Sequence, residues 1–301
     1  VADIGGTNAR LALCEDGKIV PHTVQSFANE DWPHLYNVVA AFLEPHAVRL
    51  EDIVLAVAGP VQSAHATLTN RNWTIERAGL IERFGCENAF LLNDLSALGY
   101  AVPALEPAQL HRLHDGGGTS VGVGQFLVVG IGTGFNVSPI LKTHNGVHCL
   151  AVEAGHVSMP ISIAELIKQS RCNASLFPTV EDLFSGRGFA KFCRKMTGDE
   201  TLQGRDVIRS YEGTKNPALT DAVDSYVSLL GQLLRELTLA YMPSTGVYLA
   251  GSVARAVVKT APPSCLETFA RPCEIRGAQS PNLFMIEDDF AALHGCAAFE
   301  A

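Results

Sequence analysis

The sequence predicts an α/β protein made of two related halves. Three observations carry this: strand-length β-branched runs alternate with helical stripes, a Gly/Thr turn at Asp3–Thr7 has an echo at Gly130–Gly134, and one long amphipathic stripe follows residue 220.

The strand-length runs are Arg10–Leu13, Ile53–Ala58, Phe90–Leu92, Phe126–Ile131, Val137–Leu141, Val247–Ala250 and Leu283–Ile286. Between the first two, Leu35, Val38, Val39, Phe42 and Leu43 recur at helical spacing, behind an Asp31 cap with Pro33 in the first turn. A second helix is expected from near Ile75 to Gly85, where glycine accepts the left-handed conformation that ends helices. Thr179-Val180-Glu181-Asp182 has the form of a capping box with Asp in place of Glu, which puts Glu181 in a helix's first turn. The longest helix is expected over Asp221–Met242, capped by Thr220 and ended with the help of Pro243. Its buried stripe is Val223, Tyr226, Val227, Leu230, Leu234, Leu237 and Tyr241. Asp115–Ser120 reads as a flexible surface loop.

The duplication rests on the two turns. Asp3-Ile4-Gly5-Gly6-Thr7 and Gly130-Ile131-Gly132-Thr133-Gly134 are each followed by an apolar, strand-like run. The chain opens at Val1, directly before the first turn, so part of a first strand is expected to precede it.

Composition narrows the function. Of 301 residues, 47% are hydrophobic and 18% charged, which fits a globular chain with a sizeable core. The formal charge is −9 and no basic run exceeds two residues, so nucleic acid binding, which needs clustered Lys/Arg, is not expected. The eight cysteines form no C-x-x-C pair, which reads as reduced cytosolic thiols and not as a zinc site or disulfide framework. Asn173-Ala174-Ser175 matches a glycosylation sequon but no secretory signal accompanies it, and no apolar run reaches bilayer length. A cytoplasmic protein is expected.

The chemistry is carried by five elements in one order. In the turns, glycine permits positive φ and removes the Cβ that would block a phosphate; successive N–H groups then converge on an anion, and a Thr hydroxyl adds a donor. Gly5, Gly6, Thr7 and Asn8 form one such path, and Gly132, Thr133 and Gly134 the other; Asp3 is placed to hold Mg²⁺ directly or through water. Asn93-Asp94 follows the Phe90–Leu92 run. A carboxylate at a strand's C-terminal end faces the ligand crevice of an open α/β sheet, where it can take a proton from an attacking hydroxyl. The same dipeptide also fits a plain helix cap. Glu153-Ala154-Gly155-His156 offers an acceptor and a mixed donor–acceptor around a small-residue turn, which suits sugar hydroxyls as well as a local hydrogen bond. Gly246–Ser252 is an apolar strand ending in a Gly-Ser turn that can lie flat against a nucleoside. No P-loop motif is present.

Together these residues resemble the bacterial glucokinase family, within the superfamily of sugar kinases, actin and chaperone ATPases. The specific pieces are Asp3–Arg10, Leu68-Thr69-Asn70-Arg71-Asn72-Trp73, Asn93-Asp94-Leu95-Ser96-Ala97, Gly132-Thr133-Gly134, Glu153–Val157 and Leu183-Phe184-Ser185-Gly186, spread almost end to end. The resemblance implies a two-lobed actin-like ATPase (ribonuclease H-like) fold, with duplicated sheets and a central cleft that closes on sugar. The small α/β lobe would take residues 1–104 plus a C-terminal helix at about 289–301, and the large lobe 105–288. It also implies ATP- and Mg²⁺-dependent phosphorylation of the glucose 6-hydroxyl and a homodimer. By motif matching Asp94 would be the general base; Asn93, Glu153, His156 and Glu181 would bind the other hydroxyls, and Gly251 would lie near the nucleoside.

Three positions depart from the family pattern. Ala154 replaces the second residue of Glu-Gly-Gly-His, Ser252 replaces a second glycine in the adenosine turn, and Phe135-Asn136 stands where Leu-Gly is usual. Asn is expected at a positive φ there, since it tolerates that region better than most residues. The zinc-binding branch of repressors and related kinases is not indicated, because no cysteine cluster follows the Glu/His motif. A kinase for another hexose, a non-catalytic sugar sensor on the same fold and a chaperone-type ATPase are the competing readings.

Overall fold

The computed structural model describes residues 1–300 apart from 69–70, 118–121, 171, 214–215, 261 and 273–279. Thr69-Asn70 of the third motif, Gly118-Thr119-Ser120 of the expected loop, and Cys273 thus lie outside the described residues. The chain divides into two compact units, Val1–Glu106 with Asp288–Ala301, and Pro107–Glu287.

The first unit is built on β1 (Ala2–Ile4), β2 (Asn8–Leu11), β3 (Gln25–Ala28), β4 (Asp52–Val57) and β5 (Asn88–Asn93), in the order β3-β2-β1-β4-β5. Strand β1 runs antiparallel to β2 and parallel to β4, and β4 parallel to β5. The second unit uses β6 (Leu110–His114), β7 (Gly124–Ile131), β8 (Phe135–Thr143), β9 (Gly146–Cys149), β10 (Gly246–Ala250) and β11 (Leu283–Ile286), in the order β6-β11-β10-β7-β8-β9. Without β6, this is the same path as the first sheet: β8 antiparallel to β7 and β9, and β7, β10 and β11 parallel. The duplication expected from the two turns therefore extends to whole sheets, with each turn joining the first antiparallel pair of its sheet.

Strands β3, β6 and β9 were not anticipated. All three lie at sheet edges. An edge strand needs no continuous apolar run, and Leu110-His111-Arg112-Leu113-His114 carries the polar pattern that keeps edges from pairing further.

Among the described residues the first unit has α1 (Leu35–Leu43), α2 (Arg77–Phe84) and α3 (Asp94–Ala101), joined by a C-terminal helix at Ala291–Ala297. The cap of α1 is His34, not Asp31: its Nδ1 accepts from the Tyr36 N–H at 3.3 Å. Asp31 belongs to a 3-10 turn, Asn29–Asp31, and so lacks the extended backbone of a cap; Pro33 stands before the cap, outside the helix. Helix α2 starts two residues later than expected because Thr74–Glu76 pairs with His65–Thr67 in a ribbon, and it ends at Gly85 with φ +65° as expected.

Helices α4 (Ile161–Gln169), α5 (Val180–Phe184), α6 (Gly186–Thr197), α7 (Gly204–Gly213), α8 (Pro217–Tyr241), α9 (Ser252–Thr260) and α10 (Pro262–Phe269) follow in the second unit. Helix α8 begins at Pro217, not Asp221. Asn216 caps it by accepting from the Ala218 and Leu219 N–H groups, and proline suits the first helical position because its missing N–H would have had no helical partner. Thr220 instead sits in the first turn, its hydroxyl donating to the Asn216 carbonyl at 3.1 Å. The expected stripe of α8 is buried from Val223 to Leu237, with Tyr241 packed at its border.

Side-chain alternation along β4 shows how the first unit is layered. Ile53, Leu55 and Val57 join a core with α1, while Val54 and Ala56 face Ala97, Ala292 and Cys296. The expected loop at Asp115 is tied down where it is described: Gly116 donates to the Asn282 Oδ1 at 2.9 Å, and Asp115 Oδ1 accepts from the Gly117 N–H. No disulfide joins the described cysteines. No helix among the described residues is long and apolar enough to cross a membrane.

Candidate active site

In the first unit, the turn between β1 and β2 is a tight one: the Gly5 N–H donates to the Asn8 carbonyl at 3.0 Å. Thr7 and Asn8 are exposed at its tip. Its shape is held by Asn29, a fully buried residue that the sequence reading passed over. The Asn29 side chain donates to the Gly5 carbonyl at 2.8 Å and its own N–H donates to the Thr7 carbonyl at 2.8 Å. Two carbonyls are thereby turned inward, which suits a turn meant to present donors outward. Glycine is not needed here for positive φ, contrary to expectation; Gly5, Gly132 and Gly134 all lack it. At Gly134 the constraint is space, since a Cβ there would fall 2.8 Å from Glu181 Oε2, whereas a Cβ on Gly132 would meet open space.

Asp3 and Asp94 occupy the same edge of this sheet, at or near the C-terminal ends of the parallel strands β1 and β5. Asp3 is buried and pairs with Arg10 through Oδ2 at 3.1 Å, yet loss of solvent outweighs the arginine and raises its pKa. Asp94 is the first residue of α3, reached directly from β5. Burial, reinforced by the negative charge of Asp3, raises its pKa from 3.8 to about 6. Its Oδ1 accepts from the Leu95 N–H at 2.9 Å. Asn93 is the helix cap, with Oδ1 on the same N–H at 3.1 Å and Nδ2 toward the Gly59 carbonyl at 3.4 Å. The capping role weighed for this dipeptide is therefore real and falls mainly to Asn93, while Asp94 carries the perturbed carboxylate.

In the second unit, the turn after β7 closes through a Gly132 N–H to Gly134 carbonyl bond at 3.0 Å, and the Gly186 N–H binds the Gly132 carbonyl at 2.8 Å. Gly251 packs against the strand leading into this turn: its φ is +99°, and a Cβ there would lie 2.3 Å from the Ile131 carbonyl. Ser252 opens α9, so the second-glycine departure falls at a helix start, where serine is well tolerated.

Glu153 and His156 are exposed at either end of the 3-10 turn Ala154–His156. Ala154 is buried and without positive φ, so its methyl group is accommodated; Gly155 is the position with no room, a Cβ there meeting the Phe135 carbonyl at 2.2 Å. The capping box of α5 is present in full, Thr179 and Asp182 bonding reciprocally, and Glu181 stands in the first turn as expected. Glu181 accepts from the Phe135 N–H at 3.0 Å through Oε2 and pairs with Arg187 through Oε1. Asn136 is not at a positive φ; it lies in β8 and hydrogen-bonds around the Glu153 turn. The structure thus gathers Gly132–Gly134, Glu153, Glu181 and Gly251 around the start of β8. Asn29 and the bonding role of Asn136 escaped the sequence because each acts through a long-range contact with no local motif, and Arg187 because its pairing with Glu181, six residues away, crosses the break between α5 and α6. Among the described residues no group of three or more His, Cys, Asp or Glu could hold a metal ion.

A family model described as Glucokinase matches residues 1–300. A glucokinase from Caulobacter vibrioides is 30% identical over 271 residues, covering 86% of this chain and 81% of that one. One from Brucella suis is 27% identical over 277 residues, covering 84% and 76%. Among solved structures, a glucokinase from an Antarctic psychrotroph matches with a TM-score of 0.80 at 24% identity, covering 99% of this chain and 96% of its own. A ROK family glucokinase from Streptomyces griseus, solved with glucose and AMPPNP, matches with a TM-score of 0.64 at 16% identity over 98% and 96%. These structures share the actin-like ATPase fold, with its duplicated sheets. The chain belongs to the glucokinase family.

Proposed function

We propose that Asp94 is the general base of an ATP-dependent glucose 6-kinase, and that its raised pKa beside Asp3, at the end of a parallel strand, is the observation that carries this assignment. The chain is an enzyme of the glucokinase family, whose reaction moves the γ-phosphoryl group of ATP to glucose. The sugar's 6-oxygen attacks the γ-phosphorus, its bond to the β-γ bridging oxygen breaks to release ADP, and the hydroxyl proton passes to the Asp94 carboxylate. A carboxylate with a pKa near 6 is ionised at neutral pH and remains a better proton acceptor than an ordinary aspartate.

Asn93, Glu153, His156 and Glu181 bind the remaining hydroxyls in this reading. Gly5, Gly6, Thr7 and Asn8, with Gly132, Thr133 and Gly134, line the phosphate path through backbone donors, and Gly251 leaves the flat surface that a nucleoside needs. Mg²⁺ fits this site: Arg10 takes only Oδ2 of Asp3, and this metal is usually held by one or two carboxylates plus substrate phosphates, so Asp3 would hold it directly or through water. The bound ion would supply neutralisation of phosphate charge. A homodimer in the cytoplasm, with no nucleic acid partner, completes the proposal.

A coupled assay of ADP release over a panel of hexoses tests it. Glucose-dependent ADP is the expected result. ADP released at the same rate without sugar would make the chain an ATPase, release with another hexose alone would change the substrate, and no release would leave a sensor.

A further inference from the structure

Asn136 makes four hydrogen bonds with its one side-chain amide. Its Nδ2 donates to the Val152 carbonyl at 2.8 Å and to Glu153 Oε2 at 3.2 Å. Its Oδ1 accepts from the Ala154 N–H at 2.9 Å and from the Val137 N–H at 2.8 Å. Both amide hydrogens and both oxygen lone pairs are then in use. The orientation of the amide is also settled by chemistry. Turned over, its oxygen would face a carbonyl and a carboxylate, and its NH₂ would face two N–H donors. The amide therefore always shows Glu153 a donor.

The setting makes this contact consequential. Glu153 is exposed, so its carboxylate would otherwise sample several rotamers, at an entropic cost to any ligand that must fix one. Asn136 sits opposite Gly130 in the β7–β8 pair, on a strand that cannot drift. It grips three successive residues, Val152, Glu153 and Ala154, and so anchors the turn as well as the side chain.

We infer that Asn136 is a positioning residue for sugar recognition, holding Oε2 of Glu153 so that Oε1 is presented as a single fixed acceptor for one sugar hydroxyl. This rests on the reading above that Glu153 binds the sugar. An acceptor fixed in one place demands a hydroxyl donor in one place, so Asn136 sharpens discrimination against the epimer or deoxy analogue that lacks it.

A double-mutant cycle tests the inference. Glucose KM, ATP KM and kcat are measured for wild type, Asn136→Gly, Glu153→Gln and the double variant, with Asn136→Asp as a further arm. Asn136→Gly is expected to raise glucose KM about tenfold, the scale of a lost hydrogen bond to a charged group, with kcat and ATP KM within about twofold. The double variant should be no worse than Glu153→Gln within about twofold, because the tether has nothing left to hold. Asn136→Asp keeps the acceptor for Ala154 and Val137 but sets a carboxylate against Glu153, so its glucose KM should rise at least as far as that of Asn136→Gly. Additive effects in the cycle, or an Asn136→Asp variant with wild-type glucose KM, would overturn the positioning role. A Glu153→Gln variant with unchanged glucose KM would instead sink the site reading beneath it. Should Asn136→Gly fail to fold, as a thermal melt would show, the Asn136→Asp arm decides the question with the bonds from the Ala154 and Val137 N–H groups intact.

Discussion

At the scale of single residues, the proposed general base stands at a cost to stability. Asp94 titrates near 6 in the folded chain against 3.8 for a free carboxylate, so the native state holds its proton more tightly than the unfolded state does. The ionised form therefore destabilises the fold, an effect absent below about pH 4 and complete above about pH 6. Its ceiling is about 3 kcal/mol, and partial exposure to water brings it lower. Asp94→Asn is expected to melt at a higher temperature than wild type at pH 8, with the gap closing toward pH 4, while kcat falls by roughly 10²–10⁴. Melting curves at the two pH values and a glucose titration check both halves; a variant less stable at pH 8 would remove the strain argument. If Asp94 is the base proposed above, kcat/KM for glucose in the wild type should rise through about pH 6 as it ionises. Gly155 is constrained differently, by space. Its Cβ position lies 2.2 Å from the Phe135 carbonyl, so Gly155→Ala must shift β8 or the Glu153 turn. A loss of roughly 1–3 kcal/mol in stability is expected, with a higher glucose KM; an unchanged melt and KM would show that the turn yields freely.

At the scale of elements, short pieces of regular structure place the polar groups. Helix α5 has only five residues, too short to persist by propensity, yet it holds Glu181. Its capping box does much of that work, with the Thr179 hydroxyl donating to Asp182 Oδ2 at 2.7 Å and the Thr179 N–H to the same oxygen at 3.1 Å. Thr179→Ala should cost about 0.5–2 kcal/mol in urea unfolding. Its glucose KM should rise with ATP KM unchanged, and equal changes in both would mean that the helix supports the unit generally. This box was legible in the sequence because all its contacts lie within four residues. The Gly85 stop and the Asn-Asp step from strand to helix were legible for the same reason, and the central strands through apolar runs that pack on both faces. The rest was hidden for physical reasons. Edge strands such as Leu110–His114 are defined by a partner far along the chain, not by their own pattern. Asn216 won the cap of α8 over Thr220 because Pro217 was free to open the helix. Asn136 signalled its backbone freedom in the sequence, whereas its actual value lies in bonds to residues 152–154.

At the scale of the whole molecule, the first unit is assembled from both ends of the chain. The C-terminal helix Ala291–Ala297 packs on α3, the helix that Asp94 begins, and the Cys296 thiol meets the Ala2 carbonyl at 3.5 Å. The contact with α3 is made at backbone distance. A Cβ on Gly295 would fall 1.7 Å from the Ala97 carbonyl and 3.1 Å from the Ala101 nitrogen, so only glycine lets the two helices approach this closely. In an isolated helix, Gly295→Ala would favour folding by about 1 kcal/mol through propensity. Here the sign should reverse. One helix must move away, opening gaps around Ala97, Ala292 and Cys296, and overpacking of this kind costs roughly 1–3 kcal/mol before any gap is counted. Because α3 starts at Asp94, its displacement also moves the carboxylate, and a shift of about 1 Å at a reacting group can cost 10²-fold in rate. Gly295→Ala is thus expected to lower both the melting temperature and kcat, although residue 295 lies about two hundred positions from the proposed base in sequence. Thermal melts beside glucose-saturated kcat measure the two effects. A stabilised variant with full turnover would mean that helix propensity outweighs the close packing, and that the junction of the chain's ends does not set where Asp94 stands.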